Sequence, residues 1–330
     1  MATSLTGPLY VDGAPVQTGL PVGATRTPIP GCRVIWVGSD VASRVPDAQY
    51  KATTLFGASG ALAQLGARTN KGDIIYVLPG HTENVSAADM GSDQGAASGF
   101  SIIGLGVGSL RPAFSWSADA ATWLLDTAGI EIANCVLNMA GDPSLTAART
   151  TAAAMTVSGP SCRLVYNYIN VGVDADQIVT LGIVTTAAAD DFVFAYNTVE
   201  GAVAAEITAT GTVLRLVGAD RAVIKGNYMA AALATDTDGL IETLTTASTL
   251  LTIEDNFVYA RGAGNTCAID FGANLACSGV MRRNLLVVDA DGTAETVVFT
   301  RHATNNMALL DNFLVNDNNE RGLVIGTASA

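Results

Sequence analysis

Ile253-Glu254-Asp255-Asn256-Phe257-Val258-Tyr259 sets one asparagine between two short apolar runs, and the same pattern recurs along the chain. It returns as Leu164 to Ile169 (LVYNYI), Phe194 to Val199 (FAYNTV), Ile224 to Met229 (IKGNYM), Met281 to Leu286 (MRRNLL) and Leu309 to Leu314 (LLDNFL), with Ile132 to Val136 (IANCV) as an earlier copy. The asparagines fall at 134, 167, 197, 227, 256, 284 and 312, spaced by 33, 30, 30, 29, 28 and 28 residues. Repeats of that length belong to architectures in which each unit stacks on the one before.

The residue three before each asparagine from Asn167 onward is apolar, and so is the residue two after it, whereas the residue two before varies through Val165, Ala195, Lys225, Glu254, Arg282 and Leu310. Alternation over so few residues describes a half-buried strand, not a helix face. A second short strand is expected about thirteen residues on, at Val179–Leu181, Leu240-Ile241, Ala268-Ile269 and Val297–Phe299. Two or three short strands joined by tight bends make one coil of a solenoid. The asparagine is expected to take the left-handed backbone conformation at the bend, which it tolerates better than other residues with side chains. Stacked at about 4.8 Å, the amides would also bond in a ladder.

Composition limits the rest. With 330 residues, 49% hydrophobic and 14% charged, the chain can bury a large core without staples. A net charge of −13 and scattered Lys and Arg leave no basic stripe for a phosphate backbone, so nucleic acid is not an expected partner. The five cysteines (Cys32, Cys135, Cys162, Cys267, Cys277) form an odd set without CxxC spacing, read as buried free thiols suited to assembly in a reducing cytoplasm. Neither a signal peptide nor a membrane span is expected.

Three regions follow. Residues 1–31, with Pro8, Pro15, Pro21, Pro28 and Pro30, read as an extended arm. Residues 32–71 hold a strand at Cys32–Val37 and a helix over Asp47–Leu65, whose Tyr50, Leu55, Leu62 and Leu65 would share a face and cap the open end of the solenoid. Residues 72–330 form the coils, beginning with Gly72-Asp73-Ile74-Ile75-Tyr76-Val77-Leu78-Pro79-Gly80 and continuing through Phe100-Ser101-Ile102-Ile103-Gly104-Leu105-Gly106. With Leu105 in the asparagine slot of its coil, about nine coils make a pillar roughly 40 Å tall.

The opening at Gly72–Glu83 followed by Ser101-Ile102-Ile103-Gly104-Leu105-Gly106 resembles the first rungs of right-handed parallel β-helix proteins of the pectin-lyase-like kind, most of all the virion structural proteins of tailed bacteriophages. The resemblance covers Gly72 to about Leu314. It implies an all-β, right-handed parallel β-helix and, with the arm and cap, a trimeric capsid decoration (cement) protein or a tail spike or fibre. The short pillar favours decoration of the capsid surface, where the arm would bind the major capsid protein and a host-surface glycan is the less favoured partner.

No catalytic residue, cofactor or metal site is expected. Cleavage of a glycan needs clustered carboxylates, or a basic residue beside calcium-binding acids. The candidates Asp174 with Asp176, Asp190 with Asp191, Asp236 with Asp238, Glu254 with Asp255, Asp270, Asp289 with Asp291, and Asp311 read mostly as solvated turn residues. Asp255 and Asp311 lie two coils apart with Arg283 between them, the pattern of a surface ion column. Gly104–Ser109 lacks the third glycine of a dinucleotide loop, and His81 and His302 lack partners at metal-ligand spacing. A receptor-binding groove would draw on Trp116, Trp123 and Tyr259. The Ala-rich stretches Ala202–Ile207 and Ala230–Ala234 exceed what a narrow core absorbs and are expected at a trimer interface.

Overall fold

The computed structural model describes residues 30–324 apart from 89, 93–94, 141–152, 175–176, 180, 202–210, 234–238, 244–245, 263–266, 272–275, 291–298, 302–304 and 316–320, together with 10–11 and 14–15. Most of the expected arm therefore lies outside the described residues; within it, Tyr10–Val11 pairs antiparallel with Ala14–Pro15. The remainder is a right-handed parallel β-helix with three sheets along its length.

Each coil contributes a strand to each sheet in turn. The first sheet has eleven strands, from Tyr50–Ala52 and Val34–Val37 at one end, through Ile74–Val77, Ser101–Gly104 and Glu131–Ala133, to Asn306–Leu310 at the other. The second has ten, ending in Asn312–Val315 covered by antiparallel Arg321–Val324. The third has seven, from Trp123–Leu125 to Phe299–Arg301. Seven coils are thus complete on three faces among the described residues, fewer than the nine counted from the repeat. The first sheet also begins earlier than Gly72, because Val34–Val37 pairs in parallel with Ile74–Val77.

The period-two alternation sends one set of side chains inward. Ile132, Leu164, Phe194, Ile224, Ile253 and Met281 stack in register on the first sheet, and Leu137, Ile169, Val199, Met229, Val258 and Leu286 on the second, all of them buried. They belong to one continuous core running from Ile35 to Leu309. Near its start Phe56, Phe114, Trp116 and Trp123 pack edge to face or tilted, and the Trp116 indole N–H donates to Ala154 O at 2.7 Å.

The long helix expected over Asp47–Leu65 is corrected to a strand, Tyr50–Ala52, and a five-residue helix, Ala61–Leu65. The reason is glycine. Gly57 takes φ +86°, and at Gly60 a Cβ would sit 2.3 Å from Phe56 O, so the chain folds back tightly where a helix would have run through. The capping role survives, since Leu55, Phe56, Ala61, Leu62 and Leu65 are buried in the end of the core. A further helix, Val41–Arg44, had no sequence signal.

The asparagines line up as a buried ladder, with one correction of register and one of role. Ala133 pairs with Val165, which places Asn134 opposite Tyr166 and Cys135 opposite Asn167. The column is therefore Asn167, Asn197, Asn227, Asn256, Asn284 and Asn312, each at most 2% exposed. In each step the backbone N–H and the Nδ2 of one asparagine donate to Oδ1 of the next: 2.9 and 3.2 Å from Asn197 to Asn227, 3.0 and 2.9 Å from Asn227 to Asn256, 3.0 and 2.9 Å from Asn256 to Asn284. The second Nδ2 hydrogen reaches the previous coil, as from Asn227 to Phe194 O at 2.8 Å and from Asn256 to Ile224 O at 2.9 Å. Cys135 ends the column by donating its N–H to Asn167 Oδ1 at 3.0 Å.

The left-handed residue is the one before the ladder position. Asn134, Tyr166, Tyr196, Gly226, Asp255, Arg283 and Asp311 all have φ between 53° and 63°. The asparagine tolerates no strain of its own; it secures a corner whose unfavourable torsion, about 1–2 kcal/mol per residue, falls on its neighbour. Replacing Asn227 by alanine strips the acceptor from Asn197 N–H and Nδ2 and the donor from Phe194 O. At about 1–3 kcal/mol for each buried group left unsatisfied, the variant should lose on the order of 3 kcal/mol or more. A urea titration is expected to show this as a lower midpoint at unchanged slope.

Candidate functional surface

The corner between the first and second sheets presents three outward columns. Just before the bend stand Val165, Ala195, Lys225, Glu254, Arg282 and Leu310, in register from coil to coil. At the bend are the left-handed residues. Just after the ladder asparagine come Tyr168, Thr198, Tyr228, Phe257, Leu285 and Phe313.

Aromatic rings stack along this corner. Tyr166 and Tyr196 lie 5.2 Å apart and within 12° of parallel, and Tyr228 and Phe257 lie 5.0 Å apart within 8°. The first stack ends on Gly226, which leaves room for the Tyr196 ring, because a Cβ there would stand 2.6 Å from it. Of the large apolar side chains that remain exposed, Tyr196, Tyr228, Leu310 and Phe313 lie on this corner.

Charges on the corner are paired vertically. Glu254, 5% exposed, takes Lys225 Nζ at 2.6 Å from the coil on one side and Arg282 Nε at 2.6 Å from the coil on the other. Arg283 grips Asp255 through Nε and Nη2 at 2.7 and 2.9 Å, as the sequence pattern implied, while Asp311 has no ion partner among the described residues. Hydrogen bonds from Lys225 and Arg282 hold the Glu254 carboxyl below the usual range, and Arg283 does the same for Asp255. A column that the sequence reading missed runs along the next corner. There Asp190 Oδ1 accepts from Asp220 N–H at 3.1 Å, Asp220 Oδ1 from Thr249 N–H at 2.8 Å, and Arg221 bridges Asp190 and Asp191. Its signal was the same spacing of about thirty residues in Asp190, Asp220 and Thr249, masked by the lack of one repeated residue type.

The other candidates separate. Arg215 pairs with Glu242 on the third sheet, where Asp270 is the next residue in that outward column. Asp289 accepts from the Tyr259 hydroxyl at 2.9 Å. Asp174 lies in a short antiparallel pair with Gln177, and Asp176, Asp236, Asp238, Asp291 and His302 fall outside the described residues. Among the described residues no three of His, Cys, Asp or Glu gather as metal ligands. His81 is buried with Nε2 at 3.0 Å from Glu83, whose carboxylate is fixed by Leu55 and Phe56 N–H at 2.6 and 3.0 Å. Asn134 closes the Gly104–Gly106 turn through Gly104 O at 2.8 Å and Gly106 O at 3.1 Å.

Two expectations are overturned. Trp116 and Trp123 are fully buried, so they line no groove. Ala230, Ala231 and Ala232 are 8%, 0% and 5% exposed in the single chain, Ala231 inside the core, Ala230 between Glu200 and Tyr259 and Ala232 beside Arg261 on the neighbouring strands, so they offer no interface; Ala202–Ile207 lies outside the described residues. Tyr259 alone of the proposed groove aromatics is half-buried on the outer face. Cys135, Cys162, Cys267 and Cys277 are buried and form no disulfide, and burial raises Cys135 to about 12 and Cys162 to about 11. Among the described residues no helix is long and apolar enough to cross a membrane.

Compared with known protein families, with curated proteins and with solved structures, the chain matches none of them. The fold itself, a parallel β-helix, is compatible with the pectin-lyase-like kind.

The depressed carboxyl groups give a sign for pH. Glu254 has an ordinary value of 4.5 and Asp255 of 3.8, and both are lowered in the fold, so their contribution is present above those values and disappears as pH falls through the lowered ones. Acid titration of the folded fraction should show stability falling below about pH 4.5, with a shallower fall in Glu254→Gln. An unchanged slope in that variant would remove Glu254 from the account.

Proposed function

We propose that this chain is a non-enzymatic structural protein of a bacteriophage virion, a trimeric capsid decoration (cement) protein. In this reading it is assembled in the host cytoplasm and sits on the outer shell, with residues 1–31 binding the major capsid protein and the β-helix projecting outward. The observation that supports this most is how completely coil is fastened to coil. Buried amides join six successive coils on the inside of one corner, and ion pairs such as Lys225–Glu254–Arg282 join them on the outside. Such a chain is a stiff pillar, and its polar chemistry is spent on its own continuity.

A tail spike or fibre that binds a host receptor, with or without glycan cleavage, is the second reading. The exposed Tyr228 and Phe313 give it a surface, while the burial of Trp116 and Trp123 removes two of the aromatics it would have used. Averaged images of assembled particles distinguish the two. Deleting the gene is expected to strip protrusions from the capsid and leave host adsorption intact; loss of adsorption with an unaltered capsid would move the protein to the tail.

A further inference from the structure

The corner that carries the stacked rings has a charge balance unlike the molecule around it. The chain holds 30 acids against 17 bases. On this corner Lys225, Arg282 and Arg283 face Glu254, Asp255 and Asp311, so the strip from Tyr166 to Phe313 is neutral. Two copies of an acidic protein repel each other wherever acidic surfaces approach, and a neutral strip is where that repulsion is least. The same strip holds Tyr166, Tyr168, Tyr196, Tyr228, Phe257, Leu285, Leu310 and Phe313, the aromatic-rich, charge-balanced composition found at the centre of protein interfaces. Five coil-to-coil steps of about 4.8 Å make it roughly 24 Å long.

Its shape suits a particular partner. A single left-handed residue turns the chain between two sheets, so the corner is a convex edge and not a groove. Three convex edges can converge on one axis, each touching both neighbours, whereas a concave ligand site would need the opposite curvature. Asp311 is exposed at φ 53° without an ion partner among the described residues, one coil from Arg283. Arg283 is already held by Asp255, so what Asp311 supplies is balance: with arginine in its place the strip would hold four bases against two acids on every copy, and like-charged edges repel.

We infer that this edge is the self-association surface of the chain, with second and third copies as its occupants and the Tyr228, Phe257, Leu285 and Phe313 column at the axis. The inference deepens the trimer part of the proposed function and rests on it only for the number of copies. Light scattering on the purified full chain at micromolar concentration is expected to give three times 33.7 kDa. Tyr228→Ser combined with Phe313→Ser should run as a monomer with an unaltered far-ultraviolet spectrum. Asp311→Arg, at a corner position where Arg283 already adopts the same backbone, leaves the core untouched and should weaken association at least tenfold. A monomeric wild-type chain overturns the inference, all the more if added oligosaccharide perturbs the Tyr228 and Phe313 signals and so assigns the edge to a glycan. So does assembly that persists in both variants. The purified chain is measured without particles, so failure here leaves the capsid assignment standing, and absence from the capsid would leave this contact standing.

Discussion

The hydrogen bond from one buried asparagine to the next is the constraint on which the rest of the structure depends. A coil of 28 to 33 residues has little that is specific about it, and neighbouring coils could slip against each other by one residue if only apolar side chains met inside. Such a slip would turn every inward residue outward. The amide prevents it because Oδ1 must accept from a backbone N–H of the previous coil while Nδ2 reaches the carbonyl three residues before that N–H in the same coil, and this is satisfied in one register only. Each of these groups is buried, so a mismatched register would leave several of them unbonded at once.

With the register set, the outer surface follows. Residues directly before and after the asparagine must stack on their counterparts at the strand spacing. The chain uses that enforced proximity in two ways, rings on rings at Tyr166, Tyr196, Tyr228 and Phe257, and opposite charges at Lys225, Glu254 and Arg282. An exposed pair of this kind contributes little to stability by itself. Here the backbone already holds the partners in place, so less side-chain freedom is lost in forming each one. The two corners solve the same problem with different chemistry, amides inside one and carboxylates accepting backbone N–H groups at the other.

The architecture was legible because Asn197, Asn227 and Asn256 repeat with apolar residues at fixed offsets, and periodicity is what a solenoid writes into its sequence. What the sequence concealed was which residue bends. Asparagine is the residue that favours the left-handed region, so its recurrence pointed to itself, whereas the bend falls on Tyr166, Tyr196 or Arg283, whose own preferences are the reverse. Tertiary context overrides local preference there. Asn134 misled for the same reason, since it does bend and stands one place away from the ladder. Over Asp47–Leu65 helical spacing was present, but two glycines turned the chain and the apolar residues were buried by other means. The Ala230–Ala232 stretch looked like surplus apolar surface because sequence does not reveal that neighbouring strands cover it. For the candidate surface, the vertical order of Asp255, Arg283 and Asp311 was readable; the aromatic edge was not, because its members occupy two different columns.

The ladder also has a direction. Each Oδ1 accepts from the amino-terminal side, while the backbone N–H and one Nδ2 hydrogen donate toward the carboxyl-terminal side, so each interior asparagine is equivalent to its neighbours, and the column closes on Cys135 without any special device. A unit inserted between two coils would meet above and below it the same hydrogen-bonding partners that it brings. Height in this molecule is therefore a matter of copy number: a lineage could lengthen or shorten the pillar by whole repeats while the capped end and the chemistry of its edge stayed as they are.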